Sequence, residues 1–465
     1  MSGTSFTPEP KHRQDIAFDA YIETIEPNGE IEQIDEPEQV VATDSAGTGT
    51  GNLTETTEAS ETTAAARPIR ARHVLLLGGL MAFAPLSSDL YLPSLPMLSR
   101  DLGINVSQAQ MTLSACILGL ALGQLIVGPL SDALGRRRPL LVGIAVYVLA
   151  SLLCVVTPSI SYLIVLRCAQ GVAGAAGIVI ALAAARDLYA GVPLARFLSL
   201  LMLVNGLAPI VAPVLGGQLL ALVSWRGLFA ALAFIGAGLF LAAAYGLPET
   251  LPPERRQPGS ISATLGAIRE LIGDRQFASY ATVSGFVFAA AIVYISVSPF
   301  VLQNVYGLSP QFFGLIFGIN AVGLVVTSQV GGRIVGRVAP QRLLAWGMVA
   351  IALAGIGLLI VVLSGIGVVG ILLALFVLVA SLGLITPNAS TLALDNVRAA
   401  GSASALLGVM QFAPGAIVAP LIGIGGSATA IPMATAIAVF SLAAVAIFLV
   451  FGSRKPAPSA YSGEA

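Results

Sequence analysis

Two apolar stretches of this chain carry a charge in their interior. LLLGGLMAFAPLSSDLYLPSLP, residues 75–96, contains Asp89, and YLIVLRCAQGVAGAAGIVIALAAARDLY, residues 162–189, contains Arg167. A charged side chain at the centre of a bilayer costs at least about 3 kcal/mol, so such residues usually face an aqueous pathway or pair with each other. We therefore predict that Asp89 and Arg167 form the working site of a membrane transporter.

The composition of the 465-residue chain is that of a polytopic membrane protein. It is 56% hydrophobic and 10% charged, with a mean hydropathy of +0.89, whereas soluble domains carry about 25% charged residues. The acidic residues are concentrated at the start, because 14 of the 24 Asp and Glu precede residue 62. So polar a stretch cannot bury enough apolar surface to fold alone. We predict a disordered acidic cytoplasmic tail over residues 1–70.

Twelve apolar segments follow this tail, and most are long enough for the roughly 20 residues that a spanning helix needs. They cover residues 73–95, 108–130, 139–157, 161–189, 196–222, 226–247, 278–302, 310–332, 342–364, 366–391, 399–424 and 428–451. The split between the ninth and tenth depends on the short stretch LSGIGVVG. The predicted fold class is an all-α integral membrane protein with 12 transmembrane helices.

Basic residues indicate the orientation, because Lys and Arg concentrate in cytoplasmic loops. The loops on one side of the predicted membrane hold only Arg100 and Arg226. The loops and tails on the opposite side hold all the remaining loop Lys and Arg from Arg67 onward. We therefore predict a multi-pass protein of the plasma (inner) membrane with both termini in the cytoplasm.

The chain also repeats itself at a spacing of about 207 residues. The run Ile210–Pro213 returns as Ile417–Pro420, and Asp187 and Asp395 end the fourth and tenth segments. Such repeats are typical of transporters built from two parallel halves. We predict four parts after the acidic tail: a six-helix half at 71–247, a cytoplasmic linker at 248–277, a second six-helix half at 278–452 and a cytoplasmic tail at 453–465.

Asp89 and Arg167 lie at similar predicted depths. Each is six or seven residues from the outer end of its segment, or about 10 Å at 1.5 Å per residue. A carboxylate and a guanidinium at matching depth can pair if their helices are neighbours, and protonation of the carboxyl would release the arginine. That competition would couple proton binding to substrate binding or helix movement. The alternative is a static ion pair that holds two helices together.

The turn between the second and third segments reads GPLSDALGRRRPL, residues 128–140. It resembles the loop signature of the major facilitator superfamily, although Ala133 stands where that signature usually has a basic residue. The residues that fit the signature, and that the resemblance assigns to a conformational gate, include Gly128, Asp132, Gly135, Arg136, Arg137 and Arg138.

Two further stretches are similar to signatures of the same superfamily. LRCAQGVAGAA, which contains Arg167 and Gln170, resembles its fourth-helix signature. APIVAPVLGG, residues 208–217, resembles its fifth-helix antiporter signature, and the matched positions there are Pro209, Pro213, Gly216 and Gly217. SSDLYLPSLP, LPETLPPERR and TPNASTLALDNVRAAGSASALLG resemble one branch, the bicyclomycin and chloramphenicol resistance (Bcr/CflA) drug:proton antiporters.

The resemblance implies a major facilitator fold and proton-coupled export of small hydrophobic drugs or antibiotics by alternating access. It implies that Asp89 binds protons or cationic substrate and that Arg167 supports this relay. It further implies that Asp132 contacts the start of the eleventh helix, near Ala400, in the outward-open state. The fifth-helix pattern is expected to seal the proton leak and set the direction of antiport.

Polar residues within the apolar segments are candidates for the substrate cavity, although such side chains often bridge membrane helices instead. The candidates are Tyr91, Gln170, Asn205, Tyr294, Ser298, Asn388 and Gln411, with Asn320 in addition.

The energy source is predicted to be an ion gradient, with no cofactor. A phosphate-binding loop needs a lysine within a Gly-rich pattern, and the only lysines, Lys11 and Lys455, have no such context. No His-x-x-x-His or Cys-x-x-Cys metal motif is present, and no nucleophile–base constellation indicates an enzyme. The resemblance favours protons over sodium ions.

The expected partners are a small-molecule substrate, protons and the lipid bilayer, without nucleic acid, and we expect a monomer. Two alternatives to drug export remain. One is an exporter of a cellular metabolite or dipeptide. The other, from a different class, is a membrane sensor that signals through the N-terminal tail.

Overall fold

The computed structural model describes residues 71–256, 269–395, 397, 400–425 and 429–452. The predicted tails at 1–70 and 453–465 lie outside the described residues, as does the middle of the predicted linker. In its described second part, residues 269–273 are helical.

Twelve long helices follow one another along the described chain. The first six are α1 (Ala71–Asp89), α2 (Val106–Leu134), α3 (Arg137–Val156), α4 (Ile160–Leu188), α5 (Gly191–Leu219) and α6 (Trp225–Gly246). The second six are α7 (Arg275–Phe300), α8 (Pro310–Ile334), α9 (Pro340–Ser364), α10 (Val368–Leu394), α11 (Ala400–Gly423) and α12 (Ile431–Ile447).

Eleven of these helices are each long and apolar enough to cross a membrane. The twelfth span is formed by α1 with a 3-10 turn, Leu92–Ser94, and a short helix, Leu95–Asp101; it is bent by 44° between Phe83 and Pro85. The predicted twelve-helix fold is confirmed.

Local sequence explains where several helices begin and end. Asn105 and Gln108 form a capping box at the start of α2, which satisfies backbone N–H groups that have no partner within the helix. Between α9 and α10, Gly365 and Gly367 adopt φ angles of +66° and +101°. Residues with a side chain rarely adopt this conformation, and these two glycines therefore separate the ninth helix from the tenth, as LSGIGVVG predicts.

The pattern of helix packing repeats after six helices. In the first half α1 packs on α4 and α5, α2 and α3 pack on α4, and α3 packs on α6. The same contacts recur six helices later, where α7 packs on α10 and α11, α8 and α9 pack on α10, and α9 packs on α12. This agreement supports the parallel repeat that the Ile-Val-Ala-Pro runs predict. The two halves meet where α2 packs on α11 and α5 packs on α8.

Glycines allow the closest of these contacts. A Cβ atom on Gly119 of α2 would overlap the backbone carbonyl oxygen of Cys168 in α4, and one on Gly171 of α4 would overlap that of Cys116 in α2. Small residues let membrane helices approach backbone to backbone. Gly119 and Gly171, the latter in the fourth-helix signature, therefore allow α2 to pack closely against α4, the helix that carries Arg167.

The two ends of the bundle differ in charge. The arginine-rich face is the end at which α1 begins and α2 ends, and it includes Arg136, Arg137 and Arg186. The arginine-poor face is the opposite end, where the connections contain Arg100 and Arg226.

Three hydrogen bonds join the halves near the arginine-poor face, and we call them the cross-half hydrogen bonds. Each runs from a polar side chain to a backbone carbonyl oxygen of the other half: Ser107 Oγ to Pro420 at 2.7 Å, Gln110 Nε2 to Ser296 at 3.3 Å and Gln303 Nε2 to Pro93 at 3.1 Å. The halves are therefore closed against each other at this face.

Candidate functional site

Helix α1 ends at Asp89, in the interior of the first span. The first segment was predicted to run to residue 95, but Pro85 bends it and Pro93 lies in the turn that follows Asp89. Proline lacks the N–H that a continuing helix needs. Asp89 is 9% exposed, and its carboxylate accepts a 3.0 Å hydrogen bond from Ser88 Oγ. The break therefore places a carboxylate among irregular backbone, which membranes tolerate only where protein or a wet cavity surrounds it.

Arg167 lies seven residues into α4 and is fully buried. Its Nη1 donates to Gln170 Oε1 at 2.5 Å and to Ser87 Oγ at 3.3 Å. Its guanidinium carbon lies 4.9 Å and 5.6 Å from the ring centroids of Tyr91 and Phe229. A desolvated cation over an aromatic ring gains about 2 kcal/mol, and the two rings therefore offset part of the cost of burial.

The predicted ion pair between Asp89 and Arg167 is absent from this structure. Among the described residues, no carboxylate lies within 4.0 Å of the Arg167 guanidinium, and its Nε and Nη2 atoms have no hydrogen-bond partner. The reason is helix geometry, since Ser87 faces Arg167 and residues two apart lie on opposite sides of a helix. The sequence prediction rested on depth alone and did not take into account which side of α1 faces Arg167.

Tyr91 and Gln170 are not cavity residues in this conformation. Both are completely buried within the first half. The Tyr91 hydroxyl lies 2.9 Å from Thr112 Oγ1, and Gln170 Nε2 donates to Ser151 Oγ at 2.7 Å. Their prediction as substrate contacts is therefore corrected: together they enclose Arg167.

In the second half, Tyr294 of α7 and Asn320 of α8 form a polar pair. Asn320 Nδ2 donates to the Tyr294 hydroxyl at 2.9 Å, and both residues are buried. The Tyr294 ring stacks on Phe317, with centroids 5.4 Å apart and an interplanar angle of 12°. The second half therefore holds a buried polar pair joined by one hydrogen bond.

The other candidates are dispersed. Ser298 is buried with no partner for its hydroxyl among the described residues. Asn388 is buried and bonds the Leu384 carbonyl of its own helix at 2.7 Å. Gln411 is 9% exposed, and Asn205 on α5 is half-buried. These four residues lie on four different helices, and no hydrogen bond among the described residues joins any of them to Asp89.

The loop signature forms a bonded network at the arginine-rich face. Arg136 lies 2.5 Å from Asp132 and 3.1 Å from Asp187 of α4, and it also donates to Ser131 Oγ. Arg138 is exposed. Asp132 is therefore engaged within the first half in this conformation. The side chain of Ala400, its predicted neighbour, lies outside the described residues.

Glu249, in the LPET stretch after α6, caps the start of α3. Its carboxylate accepts hydrogen bonds from the backbone N–H groups of Arg136, Arg137 and Leu251 at 2.7, 3.2 and 3.1 Å. Burial opposes its ionisation, but these N–H donors and the nearby Arg256 outweigh burial and hold the pKa of Glu249 below its ordinary value of 4.5. An anion is also stabilised at a helix N-terminus.

Gly135 makes room for this cap. Its φ angle is +89°, and a Cβ atom there would lie 2.5 Å from Glu249 Oε2 and 2.9 Å from Arg256 Nη2. Both the backbone conformation and the close approach therefore require glycine. Sequence reasoning missed Glu249, although its place in LPET, directly after the sixth helix and rich in turn residues, was the available signal.

The fifth-helix signature packs against both halves. A Cβ atom on Gly216 would overlap the Leu90 carbonyl oxygen, directly after Asp89, and one on Gly217 would lie 2.7 Å from the Pro310 carbonyl oxygen of α8. On α8, a Cβ atom at Gly314 would overlap the carbonyl oxygen of Pro213. The signature therefore joins the break in α1 to the first turn of α8.

A cavity of about 490 Å³ opens at the arginine-poor face. It contains none of the predicted site residues, and its lining includes Arg100, Asn105, Ser107, Gln108, Asn304 and Gly423. Ser107, one of the donors of the cross-half hydrogen bonds, lines it, and the sequence analysis missed all three donors. Their only signal was the presence of Gln and Ser near the ends of apolar segments.

Comparisons with known proteins agree with this architecture. A family model of the Major Facilitator Superfamily matches residues 77–420. An uncharacterised transporter of that superfamily from Bacillus subtilis is 39% identical over 383 residues, which are 82% of this chain and 94% of that protein. A bicyclomycin resistance protein homologue from Haemophilus influenzae is 30% identical over 364 residues, which are 77% of this chain and 91% of that protein.

A solved structure has the same fold. The crystal structure of a nucleoside transporter superposes with a TM-score of 0.67 at 15% identity, covering 82% of this chain and 99% of that chain. The family match, the two relatives and the repeated helix packing lead to one assignment. The chain belongs to the major facilitator superfamily, in the branch of the bicyclomycin resistance proteins.

Proposed function

We propose that this membrane transporter, which is not an enzyme, exports small, mostly hydrophobic drugs or antibiotics in exchange for protons. The observation that carries the proposal is the position of Asp89. Every other described carboxylate lies in a connection or within one turn of the end of a membrane span, whereas Asp89 lies inside the first span with no basic partner within 4.0 Å.

An unpaired carboxylate is suited to exchange. Because no arginine neutralises it, Asp89 binds a proton or a cationic group of a substrate, but the site does not favour both at once. Substrate that displaces the proton on one side of the membrane, and proton that displaces substrate on the other, give antiport. The carboxylate itself holds the cargo or the proton, and the helices around it move.

The closed arginine-poor face supports alternating access. We propose that the arginine-rich face lies in the cytoplasm, following the distribution of basic residues. The cross-half hydrogen bonds would then close the outer end while substrate enters from the cytoplasm. Opening requires these bonds to break and α2 and α5 to part from α11 and α8.

The relatives support the class of cargo. The Haemophilus influenzae relative is named for resistance to bicyclomycin, and export of an antibiotic is a direct route to resistance. Tyr294 and Phe317 form a stacked aromatic pair in the second half, and aromatic faces bind apolar rings and organic cations.

Inverted membrane vesicles with an acidic interior test this proposal. We expect some compounds in a panel of drugs to collapse the pH gradient in vesicles with the wild-type protein, and none to do so with Asp89→Asn. Asp395→Asn is the matched control, because it makes the same change at an exposed position after α10. Collapse by metabolites or dipeptides alone would replace the proposed cargo, and equal collapse by wild type and Asp89→Asn would refute the role of Asp89.

A further inference from the structure

The cavity at the arginine-poor face carries a positive charge. Its volume is about 490 Å³, and among the described residues that line it Arg100 is the one basic side chain and none is acidic. No described carboxylate lies within 4.0 Å of the Arg100 guanidinium. Arg100 Nε donates to the Pro96 carbonyl oxygen at 3.3 Å, and the N–H groups of the two outer nitrogens remain for a ligand.

The acidic residue next to Arg100 in the sequence is engaged elsewhere. The Asp101 carboxylate accepts hydrogen bonds from Trp225 Nε1 at 2.8 Å and from Arg226 Nη1 at 2.5 Å. Both donors lie at the start of α6, and Asp101 does not line the cavity. Arg226 therefore neutralises Asp101, and the charge of Arg100 is available to an anion from outside the chain.

The remaining polar groups of the cavity add hydrogen-bond donors to this charge. Asn105 and Gln108 both line it. The capping box at the start of α2 uses the side-chain oxygens of these two residues, so their amide N–H groups remain for an acceptor. A guanidinium binds phosphate through two parallel N–H donors, and the N-terminal end of a helix also favours an anion. The cavity is therefore suited to a phosphate group.

The cavity continues into the apolar outer surface of the bundle. Met111 of α2 and Ile424, just after α11, line it and are 41% and 73% exposed. Leu421, one turn before Ile424 on α11, is 60% exposed, and α2 packs on α11. Exposed apolar side chains of this kind mark contact with membrane lipid. A phosphate at Arg100 therefore has apolar surface beside it for a hydrocarbon chain, which inorganic phosphate would not use.

We propose that this cavity binds the headgroup of an anionic phospholipid such as phosphatidylglycerol. Arg100 pairs with the phosphate, and the side-chain amides of Asn105 and Gln108 donate to the oxygens of the headgroup. One acyl chain lies along Met111 and Leu421. A zwitterionic lipid fits less well, because no lining carboxylate among the described residues could pair with its ammonium group.

The lipid would contact both halves of the protein. Asn304, just after α7, and Gly423, at the end of α11, line the cavity from the second half, and Arg100 lines it from the first. A ligand stabilises the conformation that contains its site, so the bound lipid favours the closed arrangement of the arginine-poor face. This role lies beyond the exchange of drugs for protons and does not depend on it.

Photolabelling in nanodiscs tests the site. The full chain is placed in phosphatidylcholine nanodiscs with a small share of phosphatidylglycerol that carries a diazirine in one acyl chain, and the adducts are mapped by mass spectrometry. We expect adducts on the segments that contain Met111 and Leu421, reduced about tenfold in Arg100→Gln because charge-assisted hydrogen bonds to the phosphate are lost. Arg342→Gln is the matched control, because it makes the same change at an exposed residue of the arginine-rich face, and it should label like wild type. The same probe with a phosphatidylethanolamine headgroup should label these segments less.

Spin labels test the effect on conformation. Leu222 and Ile366 are highly exposed at the arginine-poor face and do not line the cavity. Replacing phosphatidylcholine by phosphatidylglycerol in the nanodiscs should raise the share of short distances between labels at these positions in wild type, and not in Arg100→Gln.

Three results would overturn the proposal. Equal photolabelling of wild type and Arg100→Gln would refute the site. Adducts that inorganic phosphate at millimolar concentration suppresses would identify soluble phosphate, and not a lipid, as the ligand. Distances between the spin labels that are the same in both lipids would refute the effect on the closed face.

Discussion

The side-chain amide of Gln303 donates to the backbone carbonyl of Pro93 at 3.1 Å, which joins the irregular end of α7 to the irregular end of α1. Both partners lie where a helix departs from regular geometry, because Val301–Val305 is π-helical and Leu92–Ser94 is a 3-10 turn. Like the other cross-half hydrogen bonds, this one involves no charged side chain.

Loss of two of these donors should open the arginine-poor face. A neutral hydrogen bond contributes about 1 kcal/mol, so the double variant Ser107→Ala, Gln303→Ala should shift the closed-to-open equilibrium by about tenfold to thirtyfold. Distances between spin labels at Leu222 and Ile424, both highly exposed at that face, should show a larger share of long separations. Asn304→Ala, at an exposed neighbour of Gln303, should leave the distance distribution unchanged. A double variant with the same distance distribution as wild type would contradict the prediction.

Gly216→Ala should destabilise the protein. Its new methyl group would overlap the Leu90 carbonyl oxygen, and overpacking of this kind costs about 1–3 kcal/mol. The control is Gly128→Ala, because a Cβ atom there meets no heavy atom within 4 Å and alanine favours a helix by about 1 kcal/mol over glycine. Thermal unfolding in detergent should therefore shift down for Gly216→Ala and not for Gly128→Ala. Equal shifts in both variants would show that the contact between Gly216 and the Leu90 carbonyl oxygen leaves room for a methyl group.

Arg167→Lys should lower stability although it keeps the charge. A lysine ammonium is a compact, strongly hydrated group without the planar fork that stacks on Tyr91 and Phe229 and reaches Ser87 and Gln170. We expect a loss of about 2–3 kcal/mol from the cation–π contacts and charge-assisted hydrogen bonds. The measurement is thermal unfolding beside Arg138→Lys at an exposed position. A wild-type melting temperature for Arg167→Lys would mean that the site holds any cation equally well.

Glu249→Gln should reduce stability in a pH-dependent way. The pKa of Glu249 is held below its ordinary value of 4.5, so its ionised form stabilises the fold above the unfolded-state pKa. That contribution is lost as pH falls through the lowered pKa. The melting temperatures of wild type and Glu249→Gln should differ at neutral pH and converge in acid. Glu254→Gln, at an exposed residue, should differ from wild type at neither pH, and a gap for Glu249→Gln that persists in acid would rule out the ionised cap.

The fold could be predicted from the sequence because the features that indicate a membrane span lie within that span or in the loops beside it. Apolar length, the alternation of basic loops and the glycines at 365 and 367 predicted the spans and their separation, and the confirmed helices begin or end within a few residues of the predicted bounds. The spacing of the Ile-Val-Ala-Pro runs likewise identified equivalent turns of α5 and α11.

The site was less predictable because it depends on which side of a helix a residue faces. Asp89 and Ser87 are two residues apart, and Ser87 is the one that contacts Arg167. The break after Asp89 also makes any extrapolated helical phase unreliable from Leu90 onward. Tyr91, predicted in the cavity, is instead buried against Phe229, whereas Tyr294 and Asn320 were named without the hydrogen bond that joins them.

The cap formed by Glu249 changes where the connection between the halves effectively starts. Because its carboxylate ties the chain after α6 to the start of α3, the stretch around LPET moves with the first half as one body. Gly135 lets Arg256 approach the same carboxylate. An insertion between Glu249 and Leu251 would therefore disturb the cap and damage the first half itself.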